Sequence, residues 1–143
     1  MDREYYIKKG FQPYAIMTAS DKYTQGIEIW YPSNPINSDN QPAVYVLINA
    51  LTGELLKVGE TQNLTSRFHR GYRCISNTTN DRIRTHVKEV ESILVYVLPM
   101  SIVKSKILGF QCETSYTKGL EHHLLTEYKD QWDTVPPLNV YIK

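Results

Sequence analysis

A phenol, an ammonium and a guanidinium stand within 23 residues of one another in this chain, at Tyr45, Lys57 and Arg67. Residues 43–48 and 55–59, which contain the first two, are otherwise short apolar runs typical of strands. A Tyr and a Lys in such strands need a reason, and both could reach the same region as an Arg on a following helix. A guanidinium presents a fork of donors that suits a carboxylate or a phosphate.

Positive charge is concentrated around these residues. The formal net charge of the chain is only +1, but the segment from Lys57 to Lys88 holds seven Lys or Arg against two acids. The basic residues are Lys57, Arg67, Arg70, Arg73, Arg82, Arg84 and Lys88, and the acids are Glu60 and Asp81. A basic middle that faces phosphate would give this pattern. A solvated helical face would give the same composition and is the alternative.

Composition limits the class of protein. A chain of 143 residues with 41% hydrophobic content is expected to form one domain with a real core. No apolar run approaches the roughly 18 residues of a membrane span, and the N-terminus lacks the apolar region of a secretory signal. The two cysteines, Cys74 and Cys112, are more typical of free thiols than of a disulfide scaffold, so we expect a cytoplasmic protein without membrane contact.

The strand pattern predicts the fold class. Residues 43–48, 55–59 and 92–98 favour three strands, the last ended by Pro99, and residues 139–142 could pair as a final strand. We therefore expect a small α+β fold with a central, mainly antiparallel three-stranded sheet flanked by helices.

Polar caps and apolar stripes indicate the helices. Thr61 or Asn63 can cap the helix that carries Arg67, and Thr79 or Asn80 can cap a second helix over residues 81–90. Residues 100–111 are ambiguous and favour a short helix, whereas residues 114–132 carry an apolar stripe at helical spacing.

Residues 1–42 carry a dense set of aromatic side chains, and residues 26–31 alternate like a strand. We expect an N-terminal extension that packs on the core formed by residues 43–143. The aromatic residues would replace aliphatic core residues, or some of them would shape a nucleic-acid surface by stacking.

The order of the central pieces resembles the GIY-YIG nuclease family. Ala43-Val44-Tyr45 stands where that family has Gly-Ile-Tyr, and Lys57-Val58-Gly59 stands where it has Tyr-Ile-Gly. Arg67 lies at the family's step, eight residues after the glycine. The segment 119–125 looks like the family's glutamate helix, and Pro136-Pro137-Leu138-Asn139 looks like its closing Pro-x-Leu-Asn. The resemblance covers about residues 43–140 and implies the GIY-YIG fold.

The resemblance also implies roles in phosphodiester hydrolysis. Tyr45 would be the general base or would orient the attacking water, and Arg67 would clamp the scissile phosphate. Glu121 would hold a divalent ion, Mg²⁺ or Mn²⁺, with waters and substrate oxygens as the other ligands. Asn139 would brace the site by hydrogen bonds.

The helix of Arg67 offers further substrate contacts, and one site position departs from the family. Arg70, His69 and Arg73 are expected to contact the nucleic-acid backbone. Lys57 occupies the place of the second tyrosine, where an ammonium beside the Tyr45 phenol would favour the phenolate. We expect Lys57 to replace the missing tyrosine as a catalytic group.

These roles predict a metal-dependent endonuclease that acts on double-stranded DNA, most like the small stand-alone restriction enzymes of the family. A double-strand cut at a palindrome would require a homodimer or two sequential nicks. Lys57 in the tyrosine position leaves open a degenerate GIY-YIG domain that binds nucleic acid or protein. An RNase or a repair nuclease is the third possibility.

Overall fold

The computed structural model describes residues 2–22, 26–32, 39–73 and 77–139, which build an antiparallel sheet of five strands and a separate two-stranded hairpin. The five strands are β1 (Gln12–Ala19), β2 (Ile27–Trp30), β3 (Ala43–Asn49), β4 (Leu55–Thr61) and β5 (Ser92–Pro99). Their order across the sheet is β2-β1-β5-β3-β4, so β4 lies at one edge. The hairpin consists of β6 (Val103–Ile107) and β7 (Phe110–Thr114).

The helices are α1 (Arg3–Lys8), a π-helix (Thr65–Tyr72), α2 (Thr78–Val90) and α3 (Thr117–Trp132). The Asn63 side chain accepts a hydrogen bond from the backbone N–H of Ser66 at 3.1 Å, as expected for a residue that starts the π-helix. Asn77 caps α2 by accepting from the N–H of Asn80. The second helix therefore begins earlier than the predicted caps, Thr79 and Asn80, would place it.

The sheet has an apolar cluster on each face. Because side chains alternate along a strand, the residues of β3 divide between the two clusters. Tyr45 and Leu47 join the cluster that contains Phe68 of the π-helix and Ile83 of α2. Val44, Val46 and Ile48 join the cluster that contains Tyr6 of α1 and Leu124, Leu125 and Tyr128 of α3. Burial of all seven β3 residues explains why this strand reads as a continuous apolar run.

The predicted three-stranded sheet is wrong, because the N-terminal segment supplies β1 and β2 to the same sheet. Pro13 conceals β1 in the sequence, since proline cannot donate to a strand ladder and argues against an inner strand. The structure accommodates it at an irregularity where β1 pairs with β5, between Pro13 and Ala15. The β2 strand pairs only with Ile16 to Ala19, so it does not reach the proline.

Two further expectations need correction. Residues 100–111, for which a short helix was predicted, contain β6 and the first residues of β7, and the long helix begins at Thr117 rather than at residue 114. The final strand expected over residues 139–142 falls almost wholly outside the described residues, as does Cys74. Within the described ranges no helix is long and apolar enough to cross a membrane.

Candidate active site

The antiparallel pairing of β3 with β4 places Tyr45 opposite Gly59 and Leu47 opposite Lys57. Tyr45 and Lys57 therefore point to the same face of the sheet. A Cβ at Gly59 would overlap the phenol ring of Tyr45, so only glycine allows the ring to lie across β4. This contact gives a physical reason for the glycine that ends the apolar part of β4.

Arg67 reaches this face from the π-helix and joins two phenols. Its Nε donates to the hydroxyl of Tyr45 at 3.0 Å, and its Nη2 donates to the hydroxyl of Tyr72 at 2.8 Å. The two hydroxyl oxygens are 2.7 Å apart. The guanidinium also lies over the Tyr72 ring, 4.1 Å from its centroid. Both phenols are buried, whereas Arg67 is only half-buried.

The Tyr45 and Tyr72 hydroxyls and the Arg67 guanidinium, together called the hydroxyl cluster, keep Arg67 charged and Tyr72 neutral. Burial alone would lower the pKa of Arg67, but the neighbouring oxygens of Tyr45 and Tyr72 raise that pKa above its usual range. Burial and the proximity of Tyr45 raise the pKa of Tyr72 well above its usual range, against the opposing effect of Arg67. A fixed cation held by two phenols is a preorganised group for an anion.

A second polar layer fixes the position of this cluster. The Oδ1 of Asn80, which is almost fully buried in α2, accepts from Nη1 of Arg67 at 3.4 Å. Its Nδ2 donates to the carbonyl of Gly71 at 3.2 Å. Arg84, which also pairs with Asp81, donates from Nη1 to the carbonyl of Tyr72 at 2.8 Å. These contacts tie the C-terminal end of the π-helix to α2.

Lys57 is a buried cation on the same face. Desolvation and the nearby charge of Arg67 lower the pKa of Lys57 from the usual 10.5 to about 8, although Glu121 opposes the shift. An amine with this pKa is partly neutral near physiological pH and can exchange a proton there.

Glu121 comes from α3, which packs on the other face of the sheet, and its charge acts to raise the pKa of Lys57. It is half-buried. Desolvation and the charge of Glu60 raise the pKa of Glu121, whereas Lys57 opposes this shift. The backbone of Glu60 also acts to lower the pKa of Glu121. Two acids facing each other at a half-buried position fit a cation, which would relieve their repulsion.

Glu60 is held in place by a polar network with the start of α3. Its Oε2 accepts from Oγ1 of the fully buried Thr117 at 2.8 Å. The Nε2 of Gln62 donates to the same Thr117 oxygen at 2.8 Å, and Ser115 donates to Oε1 of Gln62 at 2.8 Å. The network links β4 to α3 beside Glu121.

Asn139 pairs with the outer edge of β4. Its Oδ1 accepts from the N–H of Val58 at 2.9 Å, and its Nδ2 donates to the carbonyl of Val58 at 2.8 Å. The N–H of Leu138 donates to the carbonyl of Leu56 at 2.8 Å. The C-terminal turn thus pairs with the backbone groups of β4 on both sides of Lys57 and covers this part of the edge strand.

The remaining predicted residues lie away from the hydroxyl cluster. Arg70 is exposed and donates to Oγ of Ser66 at 3.0 Å. Nη1 of Arg73 lies 3.3 Å from Nδ1 of His69, one helical turn earlier. Arg70, Arg73 and His69 therefore form an outer basic surface at the C-terminal end of the π-helix.

The described residues contain no group of three or more His, Cys, Asp or Glu that could hold a metal ion. A hard cation can also be held by a single protein carboxylate, with water and substrate oxygens as its other ligands. Glu121 has the character expected of such a ligand.

Sequence reasoning missed Tyr72 and Asn80. Tyr72 lies five residues after Arg67, a separation that would turn the two side chains to different faces of an α-helix. The π-helix has i→i+5 hydrogen bonding and therefore brings this pair together. Gly71 accompanies the wide turn, since a Cβ there would lie 3.1 Å from the Ser66 carbonyl oxygen.

Two solved structures share the architecture. Restriction endonuclease HPY188I in complex with product DNA is 18% identical and superimposes with a TM-score of 0.59, covering 99% of this chain and 87% of that one. A mutant of bacteriophage T4 EndoII is also 18% identical, with a TM-score of 0.67 and coverage of 96% and 97%. No family profile and no curated protein matches the sequence. At this level of identity, the likeness establishes that the chain has the fold of these two proteins.

Proposed function

We propose that this protein is a metal-dependent endonuclease of the GIY-YIG type, which hydrolyses double-stranded DNA as a restriction-type, site-specific enzyme. The observation that carries the proposal is the placement of Arg67 between two phenol oxygens, with the charge of Arg67 acting on the buried Lys57. The fold shared with a restriction endonuclease bound to product DNA supports DNA as the substrate.

Arg67 binds the scissile phosphate. A guanidinium has five N–H donors, and three of them serve Tyr45, Tyr72 and Asn80. Two donors remain for the phosphate oxygens, and the fixed orientation of the group means that little reorganisation is needed when charge develops on them. The exposed Arg70 and the partly exposed Arg73 contact neighbouring backbone phosphates.

Lys57 removes the proton from the attacking water. Its pKa of about 8 places a neutral amine within reach of physiological pH, as a general base requires. Water oxygen attacks phosphorus and the water proton passes to Nζ of Lys57. The bond from phosphorus to the leaving oxygen breaks, and that oxygen takes a proton from solvent.

Tyr45 orients the water rather than accepting its proton. Its hydroxyl oxygen is buried and lies within hydrogen-bond distance of both Arg67 and Tyr72. The phenol is thereby fixed in one position, and its free hydrogen-bonding capacity can direct the water toward the phosphate.

Glu121 would hold Mg²⁺ or Mn²⁺, which when bound would neutralise charge on the phosphate. Asn139 supports the site by hydrogen-bonding to the backbone of β4 beside Lys57.

The test is incubation of plasmid DNA with the protein and Mg²⁺ or Mn²⁺, beside a Glu121→Gln variant and a chelator control. Discrete fragments from the wild type alone are the expected result. A smear would show that the enzyme cleaves DNA without site specificity. Intact plasmid in every lane, with folded protein, would overturn the proposal in favour of a binding module or an RNA substrate.

A further inference from the structure

A groove of about 520 Å³ runs along the exposed side of α2 and is here called the α2 groove. Residues of α2 at helical spacing line it together with Leu138 of the C-terminal turn, and they include Thr78, Arg82, Thr85 and His86. Its volume lies in the range of about 300–1,000 Å³ that is usual for ligand sites. The α2 groove can therefore hold a ligand larger than a single phosphate.

The α2 groove adjoins the active site through Arg82. Nη2 of Arg82 donates to the backbone carbonyl of Pro137 at 3.5 Å. The next two residues, Leu138 and Asn139, pair with the backbone of β4 on either side of Lys57. The positive charge of Arg82 acts to lower the pKa of Lys57, so the two cations lie near each other. Arg82 thus lies where the α2 groove meets the active site.

Arg82 is the uncompensated cation of the α2 groove. Its side chain is exposed and forms no ion pair with the residues that the structure describes. The two acids of the groove have their own partners, because Asp81 pairs with Arg84 and Glu89 lies 3.6 Å from the imidazole of His86. One of the five N–H donors of Arg82 serves a backbone carbonyl, so four remain for a ligand.

Three cations at this site come from three different elements, with Lys57 on β4, Arg67 on the π-helix and Arg82 on α2. The charges of both arginines act on Lys57. Like charges held close together repel, and a ligand with several negative charges relieves this repulsion. One phosphate held by Arg67 leaves Arg82 uncompensated, whereas two consecutive phosphates of one strand match both arginines.

We propose that the α2 groove binds the sugar-phosphate backbone of the cleaved strand beside the scissile phosphate, and that Arg82 holds the adjacent phosphate. Thr78 and Thr85 supply hydroxyl groups of the kind that contact phosphate and sugar oxygens. The proposal rests on the proposed function, because it requires that Arg67 holds the scissile phosphate. Arg82 is then a binding residue that sets the path of the strand, whereas the outer basic surface contacts the backbone from the π-helix.

The salt dependence of duplex binding tests the phosphate contact. The affinity of the intact protein for a DNA duplex is measured without divalent metal, so that binding is separated from cleavage. Arg82→Gln should weaken binding by about tenfold at roughly 0.1 M salt and should lower the slope of log K against log salt concentration by about one.

Lys88→Gln is the matched control for this measurement. It removes the same charge from an exposed position of α2 that is not among the residues lining the groove. Its salt slope should stay close to that of the wild type. Circular dichroism would verify that both variants are folded.

A neutral linkage in the DNA places the contact on the strand. A methylphosphonate next to the scissile phosphate removes one backbone charge, and at one of the two flanking positions it should raise the KM of the wild type by about tenfold. In Arg82→Gln the same linkage should have little further effect, because both changes remove the same contact. The kcat of Arg82→Gln should change little, as expected for a contact made equally in the ground state and the transition state.

Equal salt slopes for the wild type and Arg82→Gln, or an equal loss of slope in Lys88→Gln, would overturn the proposal. So would additive effects of Arg82→Gln and the methylphosphonate at both flanking positions. A folded wild type whose binding depends on Arg82 but which does not cleave DNA with Mg²⁺ would contradict only the proposed function, since the α2 groove would still bind a nucleic-acid backbone.

Discussion

The general-base role of Lys57 predicts a specific pH dependence of cleavage. With a pKa of about 8, roughly one tenth of the Lys57 side chain is neutral at pH 7 and roughly nine tenths at pH 9. Only the neutral amine can accept a proton, so the rate should rise about tenfold over this interval and then level off. An ammonium that acted only through its charge would give the opposite trend.

Two variants separate the proton from the charge. Lys57→Met removes both, and a general base typically contributes about 10²–10⁴-fold to the rate. Lys57→Arg keeps the positive charge but cannot lose its proton, so its activity should fall by a similar factor. The assay is the initial rate of nicking of supercoiled plasmid at saturating DNA and Mg²⁺, across pH 6.5 to 9.5.

A flat or falling pH profile would refute this reasoning. So would a Lys57→Arg protein that cuts within about tenfold of the wild type, since the base would then lie elsewhere. Circular dichroism across the same pH range is the control for unfolding.

Three further predictions concern the groups around Lys57. A buried lysine whose pKa falls from 10.5 to about 8 destabilises the protein by about 3 kcal/mol below pH 8, and this penalty disappears as pH rises toward 10.5. Lys57→Met should therefore increase the free energy of unfolding, measured with urea, by about 1–3 kcal/mol at pH 7 and by less at pH 10. Equal increases at both pH values would contradict the lowered pKa of Lys57. Tyr72→Phe removes the hydroxyl that contacts Arg67 and Tyr45. This variant should have a free energy of unfolding lower by about 1–2 kcal/mol and a cleavage rate lower by about tenfold. An unchanged rate would mean that Tyr72 does not position Arg67. Asn139→Ala should lower the free energy of unfolding by about 1–2 kcal/mol in the same urea assay. Asn139→Asp keeps the acceptor but loses the donor, so its free energy of unfolding should lie between those of the wild type and Asn139→Ala. An unaffected Asn139→Ala protein would show that this contact does not support β4.

The sequence could predict that Tyr45, Lys57 and Arg67 lie close together, because strand alternation and a short connection set their positions. Tyr45 and Lys57 share a face because their strands pair directly, and Arg67 follows on the next helix. The period of two along a strand and the short connection are visible in the sequence. The partnership with Tyr72 was not visible, because it depends on a π-helix that helical periodicity does not anticipate.

The missed strands have separate physical causes. Pro13 hides β1, because the sequence gives no sign that this part of the strand lies beside an irregularity and beyond the reach of β2. The sequence did not predict the hairpin of β6 and β7 for another reason. Its turn, Leu108-Gly109, lacks the usual Asn-Gly signal, and its apolar residues are exposed rather than part of the core.

The most direct test of the central claim is cleavage of an end-labelled DNA duplex with Mg²⁺ by the wild type and by Arg67→Lys, resolved on a denaturing gel. Lysine keeps the charge but loses the fork of donors that contacts two phenols and that the proposal assigns to the phosphate. The account predicts metal-dependent cleavage by the wild type and a rate lower by about 10²-fold or more in the variant. Equal cleavage by both proteins, or none by a folded wild type, would contradict it.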